Sequence, residues 1–202
     1  MSPHPEARAV ADRFMFDTGN LKLLASLLPI DALARQVSAL GWTVQGAFAH
    51  LAAAQAGYAG CLEALPSSLP LSAAAFDEPR LAADRAVQGE LPALPAILDE
   101  FDSSLRRLVA RLDVLGEEAL ACRVGAFTVL DNLRAWSAHA AAHAIEMLEA
   151  LPELRADPML LNWLLYQDFS DQPTQFALQQ TLLTEVRKRR AAEEAAFEEE
   201  TA

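Results

Sequence analysis

Strand-forming residues are scarce: the 202-residue chain holds 3 Ile and 9 Val beside 41 Ala and 33 Leu. β-Branched side chains favour extended backbone whereas Ala and Leu lead the helix formers, so a β-rich fold is excluded. Cysteine is scarce as well. Cys61 and Cys122 form no Cys-x-x-Cys pair and stand beside no basic cluster, which excludes a disulfide framework and leaves two reduced packing thiols as the reading. Positive charge is short, with 16 Lys+Arg against 28 Asp+Glu and a net charge of −12. Phosphate backbones and anionic lipid surfaces are bound through clustered cations, so this balance argues against nucleic-acid and membrane partners. The one basic run, Arg187 to Arg190, is followed by Glu193, Glu194, Glu198, Glu199 and Glu200. The first residues lack a basic region leading into an apolar stretch, which predicts no signal peptide and a cytoplasmic protein.

Hydrophobic residues make up 52% of the chain. A chain this apolar buries enough surface to offset the entropy of ordering it, so it folds. Gln36 to Leu62 contains no charged residue and exceeds the roughly 20 residues a bilayer span needs. Alanine is its commonest residue, and it is broken by Gly41, Gln45, His50 and Gln55. Alanine gains little in lipid but lets neighbours approach closely, so the stretch reads as a helix enclosed by protein.

Periodicity predicts four long helices. The first runs from about Ala7 to Leu28 on a seam of Phe14, Leu21, Leu24 and Leu28 before Pro29. Asp17 falls on that seam; near Gly19 it is read as a half-exposed position. The second helix starts at an N-cap, Thr43, and continues to about Leu65. Pro66 to Pro92 reads as a connection rich in Pro, Ser and Ala. The third helix, Leu94 to Leu115, alternates steps of four and three through Leu98, Phe101, Leu105, Leu108 and Leu112, opposite a charged face read as plain solvated surface. The fourth opens on a capping box, Thr128 with Asp131, and reaches about Leu151. Beyond it, Asp157-Pro158 opens a short apolar helix to Asp168, and Asp171 to Pro173 opens a long one whose acidic last turns are expected to fray.

The four histidines are placed informatively. His139 and His143 are four apart, so both imidazoles leave one face of the fourth helix. His50 lies in the uncharged second helix, and Ala135 to Ile145 is uncharged too. Uncharged helices are the most enclosed, and buried imidazoles need partners, so the three are expected to converge in the interior; the alternative is that each is a core residue satisfied by a backbone carbonyl, or lies on the surface. A divalent metal would satisfy all three and leave a position open for water or substrate, as in catalytic zinc sites; nickel and ferrous iron suit the same donors. Glu146 follows His143 by three residues and is read as a base, as a ligand-orienting group, or as an ordinary exposed glutamate. Trp136, one turn before His139, reads as core or pocket wall. Cys61, eleven residues after His50 and so about 16 Å along the axis, is too far to coordinate with it.

The segment Gly41-Trp42-Thr43-Val44 with His50-Leu51, followed by Trp136-Ser137-Ala138-His139 and His143, resembles the second-helix opening and the closing His-x-x-x-His of the DinB/YfiT-like superfamily. The resemblance covers about Ala7 to Leu151. It implies a four-helix bundle with a three-histidine divalent metal site, mapped onto His50, His139 and His143. It also implies chemistry of the kind known in that superfamily, which includes thiol-dependent transferases and isomerases that use mycothiol or bacillithiol, and some hydrolases.

The expected fold is all-α: a four-helix bundle of DinB/YfiT type over residues 1–155 with a C-terminal helical extension over 156–202. The expected function is a divalent-metal-dependent enzyme (zinc, nickel or iron) performing thiol transfer or hydrolysis on a small molecule, with a low-molecular-weight thiol as a candidate cofactor and Glu146 as the candidate catalytic group. The alternative is a non-catalytic helical binding or oligomerisation module whose metal is structural or absent. Apolar helix surfaces are compatible with a homodimer in either case.

Overall fold

Thr43 and Thr128 each start a helix. In the computed structural model, which describes residues 5–65, 82–124 and 127–201, the Thr43 hydroxyl accepts from the Gly46 N–H at 3.1 Å. Thr128 accepts from the Asp131 N–H at 3.0 Å while the Asp131 carboxylate accepts from the Thr128 N–H at 3.1 Å. These side chains satisfy donors that have no partner within the helix. The helices they open are α2 (Val44–Ala64) and α5 (Val129–Ala150), joined by α1 (Pro5–Ser26) and α3 (Leu94–Leu112). Short helices α4 (Glu117–Ala121) and α6 (Pro158–Leu164) and the long α7 (Pro173–Thr201) complete the described helices that are named here.

The fold is all-α. α1 packs on α3 and α5, and α2 packs on the same two, so the four contacts close a ring. Phe14, Phe48, Phe101 and Trp136, one from each long helix, are fully buried inside it, and Phe14 stacks on Trp136 at 5.6 Å. No helix among the described residues is long and apolar enough to cross a membrane; α2, uncharged as far as Leu62, is covered by α3 and α5 instead. Cys61 is buried and Cys122 half-buried.

Two short hairpins precede the capped helices. Gln36–Val37 (β1) pairs with Trp42–Thr43 (β2), turning through Gly41 at φ +69°, and Arg123–Val124 (β3) pairs with Phe127–Thr128 (β4). Two-residue strands carry no periodicity, so they leave no sequence signal. α3 ends at Leu112, one turn before Leu115; of the expected seam Phe101, Leu108, Leu112 and Leu115 are buried and Leu94, Leu98 and Leu105 pack partly buried against the core, with Ile97 and Ser104 added to the buried face. Its charged face is not idle. Lys22 of α1 meets Asp102 at 2.7 Å, Arg107 meets Glu63 at 2.6 Å, and Arg111 donates to the carbonyls of Leu62 and Leu65, capping the end of α2.

Asp17 is fully buried rather than half-exposed. It accepts from Trp163 Nε1 at 2.9 Å and from Arg13 Nε at 3.0 Å, while Arg13 also reaches Ser137 at 2.6 Å and Gln167 at 2.7 Å. Burial pushes the Asp17 carboxyl up, and Arg13, Ser137 and Trp163 pull it back. The residues after Leu151 are thereby tied to α1: Leu160, Trp163, Leu164, Phe169 and Leu182 lie in the same buried cluster as the four long helices. Asp157 caps α6 by accepting from the Met159 and Leu160 N–H groups. α6 stops at Leu164 rather than Asp168, and Gln179 of α7 donates to the carbonyls of Leu164 and Gln167 at 2.8 and 2.9 Å. α7 is helical to Thr201.

Replacing Trp163 by Phe keeps the packing but strips the donor from a buried carboxylate. We expect a loss of about 1–3 kcal/mol in urea unfolding, against less than about 1 kcal/mol for Arg8→Ala, whose ion pair with Asp12 is exposed.

Candidate metal centre

Alanine brings the two histidine-bearing helices together. Ala47 on α2 and Ala140, Ala141 and Ala144 on α5 are fully buried, and small side chains at a contact shorten the distance between helix axes. His50 on α2 therefore meets His139 and His143 on α5. Its Nε2 lies 3.0 Å from His139 Nε2, the ring centroids are 4.6 to 5.1 Å apart, and one nitrogen from each of the three falls within 4.8 Å of the others.

The environment keeps two of these rings neutral, which is the form that ligates. Burial, then the neighbouring His143, lowers His50 to about 4, against weaker opposing effects of the Ala83 backbone, Asp84 and Glu146. Burial, then His143 and His50, lowers His139 to about 3. His143 is fixed differently: its Nδ1 lies 2.7 Å from Glu146 Oε2. With Nδ1 donating to that carboxylate, the Nε2 lone pair is left to coordinate.

The donor set fits a divalent ion. Two nitrogens about 2.0–2.1 Å from a tetrahedral centre stand roughly 3.3 Å apart, close to the 3.0 Å between His50 Nε2 and His139 Nε2. His50 Nδ1 is buried without a hydrogen bond of ordinary geometry, and the nearest carboxylate oxygen, Asp84 Oδ1, is 3.9 Å away. Facing Nε2 atoms at 3.0 Å cannot both present lone pairs to each other without a proton or a cation between them.

The three histidines line one wall of a cavity of about 490 Å³. Trp42 lies 4.7 Å from the His50 ring and 6.0 Å from the His143 ring. Tyr58 forms another part of the wall, and burial, then Cys61, pushes its hydroxyl pKa up, keeping it protonated. Among the described residues Asp84 is the one carboxylate in the lining, which holds no Lys or Arg. Cavities of about 610 and 560 Å³ elsewhere are lined by no histidine.

The sequence model of the DinB superfamily matches residues 17–147. The chain belongs to the DinB superfamily. The match spans His50, His139, His143 and Glu146 and stops before α6 and α7. No curated protein and no solved structure matches the chain.

All three histidines singled out in the sequence converge. Glu146, for which an exposed position was one reading, is 4% exposed; besides His143 it binds Gln175 of α7, whose Nε2 donates to Oε1. Trp136 is a core residue, fully buried and edge-on to His139. Sequence reasoning missed Tyr58, Asp84 and Gln175. Tyr58 had a signal, because His50, Ala54 and Tyr58 recur every four residues along α2 and all line the cavity. Asp84 sits in the stretch read as a mere connection, of which residues 82–86 are helical and 66–81 lie outside the described residues.

A depressed imidazole pKa sets the sign of a pH effect. The unfolded chain takes up protons at these histidines near pH 6.5, whereas folded His50 and His139 resist to about 4 and about 3. Their contribution to stability is full above about pH 6.5 and is lost progressively down to about pH 4 for His50 and about pH 3 for His139. The metal-free protein is expected to show a falling melting temperature across that window, and His139→Gln a shallower fall; equal slopes would refute the assignment.

Proposed function

We propose that this DinB-superfamily protein is a divalent-metal-dependent enzyme acting on a small molecule by thiol transfer or hydrolysis. The carrying observation is the convergence of three imidazole nitrogens within 4.8 Å on the wall of an open cavity. A site built only for structure is closed by four protein ligands, while a site of three leaves room for a reactant. Imidazole donors suit zinc, nickel and ferrous iron alike.

His50, His139 and His143 would hold the ion. The chemistry it supplies when bound is a lowered pKa of water or a thiol, giving a nucleophile near neutral pH. Trp42 and Tyr58 present ring surfaces to the apolar part of a reactant, and the Tyr58 hydroxyl, kept protonated, donates a hydrogen bond. Asp84 Oδ1, on the cavity wall beside His50, receives the proton the nucleophile gives up. Glu146 serves as a positioning group for His143 rather than as the base, because both its oxygens are engaged by His143 and Gln175. A low-molecular-weight thiol such as mycothiol or bacillithiol is the proposed co-reactant in the transfer reading, and water takes its place in hydrolysis.

Elemental mass spectrometry on wild-type protein and on a His139→Ala/His143→Ala variant, with circular dichroism as a fold control, tests this. We expect about one metal per chain, lost in a variant that stays helical, and turnover in a screen of thiols and hydrolysable substrates that disappears with the metal. Protein that takes up no zinc, nickel or iron on repletion would sink the enzyme reading. Metal whose removal unfolds the chain, with no turnover in the screen, would favour the non-catalytic module.

A further inference from the structure

Glu146 is a carboxylate nine-tenths removed from solvent, and burying such a charge is costly unless each oxygen finds a donor. One donor is on its own helix: His143 Nδ1, 2.7 Å from Oε2. The other comes from outside the segment that defines the family. Gln175 stands in the first turn of α7, 29 residues along the chain from Glu146, and its Nε2 donates to Oε1. The family match ends at residue 147.

We propose that α7 completes the metal centre, with Gln175 as a positioning residue acting through Glu146 on His143. This rests on the metal-site reading above. Gln175 is anchored rather than opportunistic. Four residues on, Gln179 is itself buried and tied to the carbonyls of Leu164 and Gln167, and Leu182 lies in the common core. Arg155 adds a second tie, donating to the Leu148 and Glu149 carbonyls of α5 and to Glu185 of α7 at 3.4 Å. The amide at 175 is therefore delivered to a fixed place. Held from one side, Glu146 keeps its second oxygen on Nδ1, which fixes the ring and the tautomer and raises the basicity of Nε2. Without the amide, the carboxylate has an unsatisfied buried oxygen and is drawn toward water, away from His143.

Zinc affinity, measured on the full chain by competition with a chromophoric chelator, is the test, with cobalt(II) absorption as the readout of ligand geometry. Glu146→Gln is expected to weaken zinc binding by about 10- to 100-fold. Gln175→Leu should weaken it by roughly fivefold to tenfold and shift the cobalt bands, with helicity unchanged. Gln175→Lys, which keeps a donor at that position, should restore both readouts toward wild type. A merely structural role for Gln175 predicts that Leu, the better packing residue, leaves affinity and spectrum unchanged, and that result would overturn the proposal. Loss in the Lys and Leu variants alike would overturn it too, since the donor would then be irrelevant. Wild-type protein that binds no zinc would instead fail the metal reading itself, an outcome visible before any variant is compared.

Discussion

Everything about the site depends on two uncharged helix segments, one on α2 and one on α5, being close enough to share imidazoles. α2 and α5 approach because alanine fills their contact, and no lysine or glutamate on α2 before Glu63 demands solvent. Desolvation then does two things at once. It makes a charged imidazolium costly, so His50 and His139 stay neutral to about 4 and about 3, and it leaves their Nε2 atoms facing each other at 3.0 Å, where a proton or a cation must stand between them. A cation resolves both demands. The same helices are begun by threonine caps at the ends of two-residue hairpins, which fix where along each helix the histidines stand.

How much of this was legible in the sequence follows from the range of each interaction. Thr43, Thr128 and the His139–His143 pair act within one or two helical turns, and short-range patterns expose them. The convergence of His50 with the other two crosses 89 residues, and it could be inferred only because both segments share the rare property of being uncharged. Asp17 was misread for want of that kind of clue. Its partner Trp163 lies 146 residues away, and periodicity registers a carboxylate on a core seam without showing what neutralises it. The same holds for α3, where Lys22, Glu63 and the end of α2 give its charges work that its own sequence does not advertise. Gln175 carried no signal, being one amide among several in a polar helix outside the family resemblance.

The segment after Leu151 looks in sequence like an appendage, and in space it is interlocked. Trp163 reaches the core-facing seam of α1 through Asp17, and Arg13 bridges onward to Ser137 on α5 and Gln167. A second polar layer crosses the interior: Thr18 donates to Gln55 at 2.7 Å, and Gln55 donates to the Phe101 carbonyl and to Ser104 at 2.9 Å. Apolar contacts tolerate sliding, whereas each of these groups has its partner in only one alignment. The two layers set the rotation of α1, α2 and α3, and so the direction in which His50 points.

The length of α7 has a practical consequence. From Gln175 to Glu194 the helix climbs about 28 Å at the usual rise per residue, and residues 191–197 are exposed. One end of this single helix reaches Glu146 beside the histidine centre while residues 191–197 stand in solvent. A fluorophore or a surface tether coupled near Glu194 would thus report on the protein at a fixed remove from its chemistry, with an orientation inherited from the helix rather than from a floppy linker.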